Sequence, residues 1–148
     1  MKALARRAWG DERLSVRGDF GWAWCPNGIA SSPLWAALNG DANLVGVLLT
    51  AKAKVDPLTR LGDYTPLHLA AERGQGAIVA KLLAAGSKAT AVTTTGTQAI
   101  HFAAEAGSVE AVKALLDKGA DANVKDTTHG RTPLVFATSK NRMPVIQF

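Results

Sequence analysis

Cysteine is almost missing from this 148-residue chain: Cys25 stands alone, so no disulfide can close within it and nothing marks an oxidising compartment. Aromatic residues make up only 6%. No apolar run approaches the roughly 18–20 residues of a membrane helix; the nearest, Leu44 to Ala51, is far too short. There are three histidines, and no His or Cys pair has zinc spacing. No G-x-S-x-G elbow, Walker loop or G-x-G-x-x-G fingerprint occurs, so no catalytic, cofactor-binding or metal-binding residue is assigned. Lys2, Arg6 and Arg7 are followed by Asp11, Glu12, Arg13 and Arg17 where a secretion signal needs an apolar core, so a cytoplasmic chain without membrane insertion is expected.

What is present is an ordinary globular balance, 47% hydrophobic and 20% charged. The net charge of +5 favours anionic partners only non-specifically. Lys81, Lys88, Lys113, Lys118 and Lys125 are interleaved with acids and not with stacking aromatics, which argues against a nucleic-acid groove.

The chain repeats itself. Thr65-Pro66-Leu67-His68-Leu69-Ala70-Ala71-Glu72-Arg73-Gly74 returns as Gln98-Ala99-Ile100-His101-Phe102-Ala103-Ala104-Glu105-Ala106-Gly107, with His68 and His101 33 positions apart. Leu82-Leu83 and Gly86 return at Leu115-Leu116 and Gly119. Thr132-Pro133-Leu134-Val135-Phe136-Ala137 opens a further copy, and Ser32-Pro33-Leu34-Trp35-Ala36-Ala37 an earlier one that is a residue shorter. A threonine followed by proline is a helix start, because the hydroxyl can cap free N–H groups and proline loses no bond at the first helical position. Gly74 suits a left-handed helix end. Ile78, Val79, Leu82 and Leu83 place one apolar face on a second helix that stops at Gly86. Each unit therefore reads as helix, turn, helix and loop.

That pattern resembles the ankyrin repeat, T-P-L-H-x-A-A-x-x-G followed by V-V-x-x-L-L-x-x-G-A-D-x-N, over roughly residues 27–148. The resemblance implies an all-α solenoid of stacked helix-turn-helix units with projecting loops. Its units would be about 27–59, 60–93, 94–126 and an incomplete 127–148, after a tail or imperfect cap over 1–26 that holds Trp9, Trp22 and Trp24. Lys52, Asp63 and Asn141 stand where the pattern has glycine; Asp and Asn tolerate a left-handed backbone. The last unit stops before its Leu-Leu. That predicts partly uncovered Leu115, Leu116, Val145 and Ile146, possible self-association there, and a fragment of a longer array.

The polar residues have simple structural explanations. At the third position after the cap, His68 and His101 can bond back to it and tie loop to helix. Glu72 and Glu105 belong to separate units, and Glu110 is placed to pair with Lys113. Arg17-Gly18-Asp19 is read as coincidence, and Cys25 as a plain residue beside Pro26. What remains is a surface. The resemblance implies partner contacts on loop tips and the inner helix face. These are Tyr64, Glu72 and Arg73; Thr97, Glu105 and Ala106; and His129, Arg131, Ser139 and Lys140. Tyr64, Arg73 and Arg131 are expected outside, where truncation leaves stability nearly unchanged. The function implied is a non-enzymatic scaffold for a protein partner of unknown identity. The alternative is the recognition module of a larger enzyme or effector.

Overall fold

The computed structural model describes residues 32–52, 55–59 and 62–148. The tryptophans of the tail, Cys25 and the Arg17-Gly18-Asp19 tripeptide lie outside them. Helices come in four pairs: α1 (Ser32–Asn39) with α2 (Ala42–Thr50), α3 (Pro66–Glu72) with α4 (Gly76–Ala84), α5 (Ala99–Ala106) with α6 (Val109–Asp117), and α7 (Pro133–Ser139) with α8 (Met143–Ile146). An inner row, α1–α3–α5–α7, packs against an outer row, α2–α4–α6–α8, and each helix touches its counterpart in the next unit. Among the described residues the only β pairing is an isolated antiparallel bridge, Val92 with Gln98.

The sequence explains why each helix starts and stops. Thr65 Oγ1 accepts from His68 N at 3.4 Å, and Pro66 takes the first turn. Ser108 caps α6, and Asp41 caps α2 by accepting from Asn43 N and Leu44 N. Thr132 begins α7 without a side-chain cap bond. Inner helices end on a left-handed residue at Gly40, Gly74, Gly107 and Asn141, and Asn141 (φ 54°) accepts that conformation in glycine's place. Lys52 (φ 59°) and Asp63 (φ 54°) do likewise.

The core runs unbroken along the seam between the rows. Ala36, Ala37, Ala70, Ala71, Ala99 and Ala103 are fully buried on the inner helices, where a methyl group is all the space between them holds. Val45, Leu67, Ile78, Leu82, Ile100 and Leu115 fill the rest, each worth about 1.5–3 kcal/mol relative to exposure. Leu115 corrects the expectation for the last unit. It is fully buried, because α8 lies against α6 and Val145 packs onto the core. Leu116, Val145 and Ile146 are half-buried. In the last unit Leu134, Val135, Met143 and Phe148 are more exposed still.

Loops leave the rows as tight hairpins, closed by Thr59 N donating to Tyr64 O, Thr93 N to Thr97 O and Asp126 N to Arg131 O. They are also tied to one another. Thr94 N donates to Gly62 O at 3.1 Å, and Thr127 N to Thr95 O at 3.2 Å. Gly96 makes the second tie possible: its φ is +68°, and a Cβ there would overlap the Thr127 side chain.

Candidate functional site

The two repeated histidines are structural ties. Thr65 N donates to His68 Nδ1 at 3.1 Å, so the proton sits on Nε2, which donates to Ala91 O at 3.0 Å in the following loop. His101 repeats the arrangement, taking Gln98 N on Nδ1 at 3.2 Å and giving Nε2–H to Arg131 O at 3.2 Å. Burial pushes both imidazoles below the usual histidine pKa and outweighs the hydrogen bonds that raise it. Each is a neutral tie between one unit and the next loop. The fourth unit has Val135 at this position and no such tie.

Asp126 organises the last described hairpin. Its side chain is 1% exposed and accepts from Arg131 N, from His129 N at 3.3 Å, and from the Arg131 guanidinium Nη2 at 3.2 Å. Burial works to raise this carboxyl, but the Arg131 N–H, the guanidinium and the His129 N–H together hold it below the usual carboxylate range. Arg131 in turn lies over the Phe136 ring, 4.6 Å from its centroid.

On the inner row, the residue five places before each left-handed helix end is large and apolar: Trp35, Leu69, Phe102 and Phe136. Trp35 is 45% exposed and the other three are half-buried. Phe102 is braced by Tyr64, with centroids 5.7 Å apart, and by the His68 edge at 5.9 Å. Beside it runs a groove of about 290 Å³ lined by Glu72, Phe102, Glu105, Ala106, Lys140 and Arg142. Lys140 Nζ lies 3.4 Å from Glu105 Oε1, and Arg142 Nε donates to Glu105 O at 3.0 Å. No helix of the described residues is long and apolar enough to cross a membrane.

The family model of ankyrin repeats, in three copies, matches residues 33–126 and 77–148. The chain belongs to the ankyrin repeat family. Among curated relatives, ankyrin repeat protein nuc-2 of Neurospora crassa is 38% identical over 104 residues, covering 70% of this chain and 10% of that protein. Human palmitoyltransferase ZDHHC13 is 42% identical over 106 residues, covering 72% of this chain and 17% of the enzyme. The putative palmitoyltransferase ZDHHC13 of Danio rerio is 29% identical over a similar stretch, with 16% of its length covered. This chain therefore spans between a tenth and a sixth of the relatives it matches.

Ankyrin repeats are protein-interaction modules, and the ankyrin domain itself is non-catalytic. Glu72, Arg73, Ser139 and Lys140 are exposed at the ends of inner helices, and Glu105 and Ala106 are partly exposed beside the groove. His129 is exposed on its hairpin. Thr97 and Tyr64 differ from the solvent-facing reading, whereas Arg131 is exposed as expected. Thr97 is only 6% exposed, because its hydroxyl joins those of Thr95 and Thr93 in a chain that braces the hairpin. Tyr64 is half-buried against two rings, and Arg131 is pinned to a buried carboxylate, so neither is a bystander to stability. Glu110 does not pair with Lys113 among the described contacts; its carboxylate packs where a Cβ on Gly76 would stand. Phe102, Phe136 and Arg142 escaped the sequence reading. The unspecified position after the motif histidine holds Leu69, Phe102 and Phe136, and that recurrence of large apolar residues was the available signal.

Proposed function

We propose that this ankyrin array is a scaffold that docks a protein partner along its inner helices, with the loop tips flanking the contact. The observation that supports this most directly is the row of Leu69, Phe102 and Phe136. The fold leaves these large apolar side chains half-covered at equivalent positions, although the core beneath them is already closed by alanines. The mechanism is preorganisation. Hairpins bonded to one another and histidine ties hold the face rigid, so little ordering entropy opposes association. Of the candidate contacts, Glu72, Arg73, Glu105, Ala106, Ser139 and Lys140 border this face, and His129 and Arg131 extend it onto the last hairpin. Tyr64 serves through Phe102, and Thr97 serves by shaping its hairpin.

The similarity to the palmitoyltransferases favours a second reading, in which such an array is the recognition module of a larger enzyme or effector. In either case the chemistry of this chain is binding. The test is affinity capture from the native host, followed by comparison of the parent with Phe102→Ala and with Lys118→Ala. Lys118 is an exposed lysine at the end of the outer helix α6. Phe102→Ala should weaken capture at least tenfold and Lys118→Ala should not; equal capture by all three would place the contact elsewhere.

A further inference from the structure

The groove beside Phe102 carries opposite charges at its two ends. On α3, Glu72 is exposed and forms no ion pair or hydrogen bond with any described residue. Its equivalent on α5, Glu105, is held by Lys140 through the carboxylate and by Arg142 through the backbone carbonyl. Two cations there face one carboxylate, so the α7 end retains a positive charge while the α3 end presents a negative one. Arg73, although adjacent to Glu72 in sequence, is not part of the groove lining. Arg142 packs against Gly107: its Cδ lies 2.8 Å from where a Cβ there would stand, so a side chain at that position would displace it. Between the two ends the Phe102 ring, wedged by Tyr64 and His68, forms an apolar floor.

Resting on the docking reading above, we infer that this groove takes an extended segment of a partner protein in one charge register. A lysine or arginine lies at Glu72, an apolar side chain on Phe102, and an aspartate or glutamate at Lys140 and Arg142. The spacing follows from the helices. Neighbouring packed helices lie about 8–10 Å apart, so α3 to α7 spans roughly 16–20 Å, or about five to six residues of extended chain. A helical occupant advancing about 1.5 Å per residue would need its charges about twice as far apart in sequence. The requirement concerns only which charge lies at which end, so either chain direction meets it provided the basic residue lies at Glu72 and the acidic one at Lys140 and Arg142.

The probes are synthetic peptides with a central phenylalanine in a serine background. They carry lysine and glutamate about three residues to either side in both orders, lysine on both sides, or glutamate on both sides. Fluorescence anisotropy against the full chain should rank the better mixed-charge peptide about tenfold above either like-charged peptide. Glu72→Lys, an exposed change that should not alter the melting midpoint, should move the preference to glutamate on both sides by a similar factor. Lys140→Glu combined with Arg142→Gln should move it towards lysine on both sides. If Arg142→Gln impairs folding, Glu72→Lys decides alone. The same ranking in parent and Glu72→Lys, or no binding by any peptide, overturns the inference. If Phe102→Ala abolishes partner capture while Glu72→Lys leaves the peptide ranking unchanged, the docking face stands and the charge register falls.

Discussion

At the scale of single residues, the repeated imidazole does more than cap a helix. His68 is fully buried with a backbone N–H on Nδ1 and a carbonyl on Nε2. Protonation would turn Nδ1 from acceptor to donor against Thr65 N–H, and would charge a ring whose pKa burial already lowers. The unfolded chain, with its histidine pKa near about 6.5, binds the proton more readily than the folded one, so stability increases with pH across this range. The contribution is complete above the ordinary histidine pKa and is lost as pH falls from there through the lowered folded-state value. Urea midpoints measured between neutral pH and the onset of carboxylate titration should therefore fall with acidity, and the fall should shrink when His68 and His101 are replaced together by glutamine. A flat parent profile would refute the role. Arg131 gives a second residue-scale prediction. Removing its guanidinium takes the charged partner from buried Asp126 and the cation from above Phe136. Arg131→Ala should lower the thermal midpoint in calorimetry, whereas Arg73→Ala, which loses no described hydrogen bond or ion pair through its side chain, should not.

At the scale of elements, none of these helices would persist alone. The inner helix α3 is seven residues long and the outer α4 nine, below the length at which an isolated helix is stable in water. Packing holds them, and the tightest packing is the alanine seam. Ala70 and Ala103 have no exposure, and their methyl groups set how closely neighbouring inner helices approach. Ala70→Leu should destabilise the array by about 1–3 kcal/mol in a denaturant titration, with partner affinity of the remaining folded fraction unchanged. A stability loss below about 0.5 kcal/mol would mean the seam has room that the burial does not suggest. The hairpins behave as elements of the same kind: each donates to the one before it, so the loop edge is continuous, although only one bridge is formally β.

At the scale of the whole molecule, stability comes from nearest neighbours, and each unit is as secure as the units covering it. Leu67 and Ile100 are covered on both sides and are 0% and 1% exposed, whereas Leu134 at the equivalent place is 53% exposed, with Val135 and Met143 also open. An apolar patch of this kind promotes association at high concentration. Replacing Leu134 and Val135 by lysine should leave the melting midpoint nearly unchanged and reduce concentration-dependent light scattering. Unchanged scattering would show that the patch is not what joins molecules. The +5 net charge sets only a weak long-range bias.

The architecture was legible in the sequence because its determinants are local and repeated. Thr-Pro starts, the left-handed Gly74, Gly107 and Asn141 ends, paired alanines and the apolar face of each outer helix all act within one unit. The same was true of the histidine ties, since the bond from His68 back to its cap spans one helical turn. Side-chain contacts made when the hairpins close and the units stack were decided by tertiary structure. Thr97 looks like a loop-tip contact, yet becomes a buried brace because its hydroxyl meets that of Thr95, which in turn meets that of Thr93, when the hairpin closes. Leu115 looks exposed at an unfinished end, yet is sealed because even the four-residue α8 packs back on α6. Arg131 reads as a surface contact, and Arg142 escapes the sequence reading. Closure of its hairpin turns Arg131 toward the buried Asp126 carboxylate, and stacking lays Arg142 against Gly107, where it contributes to the charge that the groove presents. A repeat period sets the backbone that recurs; which side chains meet between consecutive turns depends on rotamers and distances that exist only once the units are stacked.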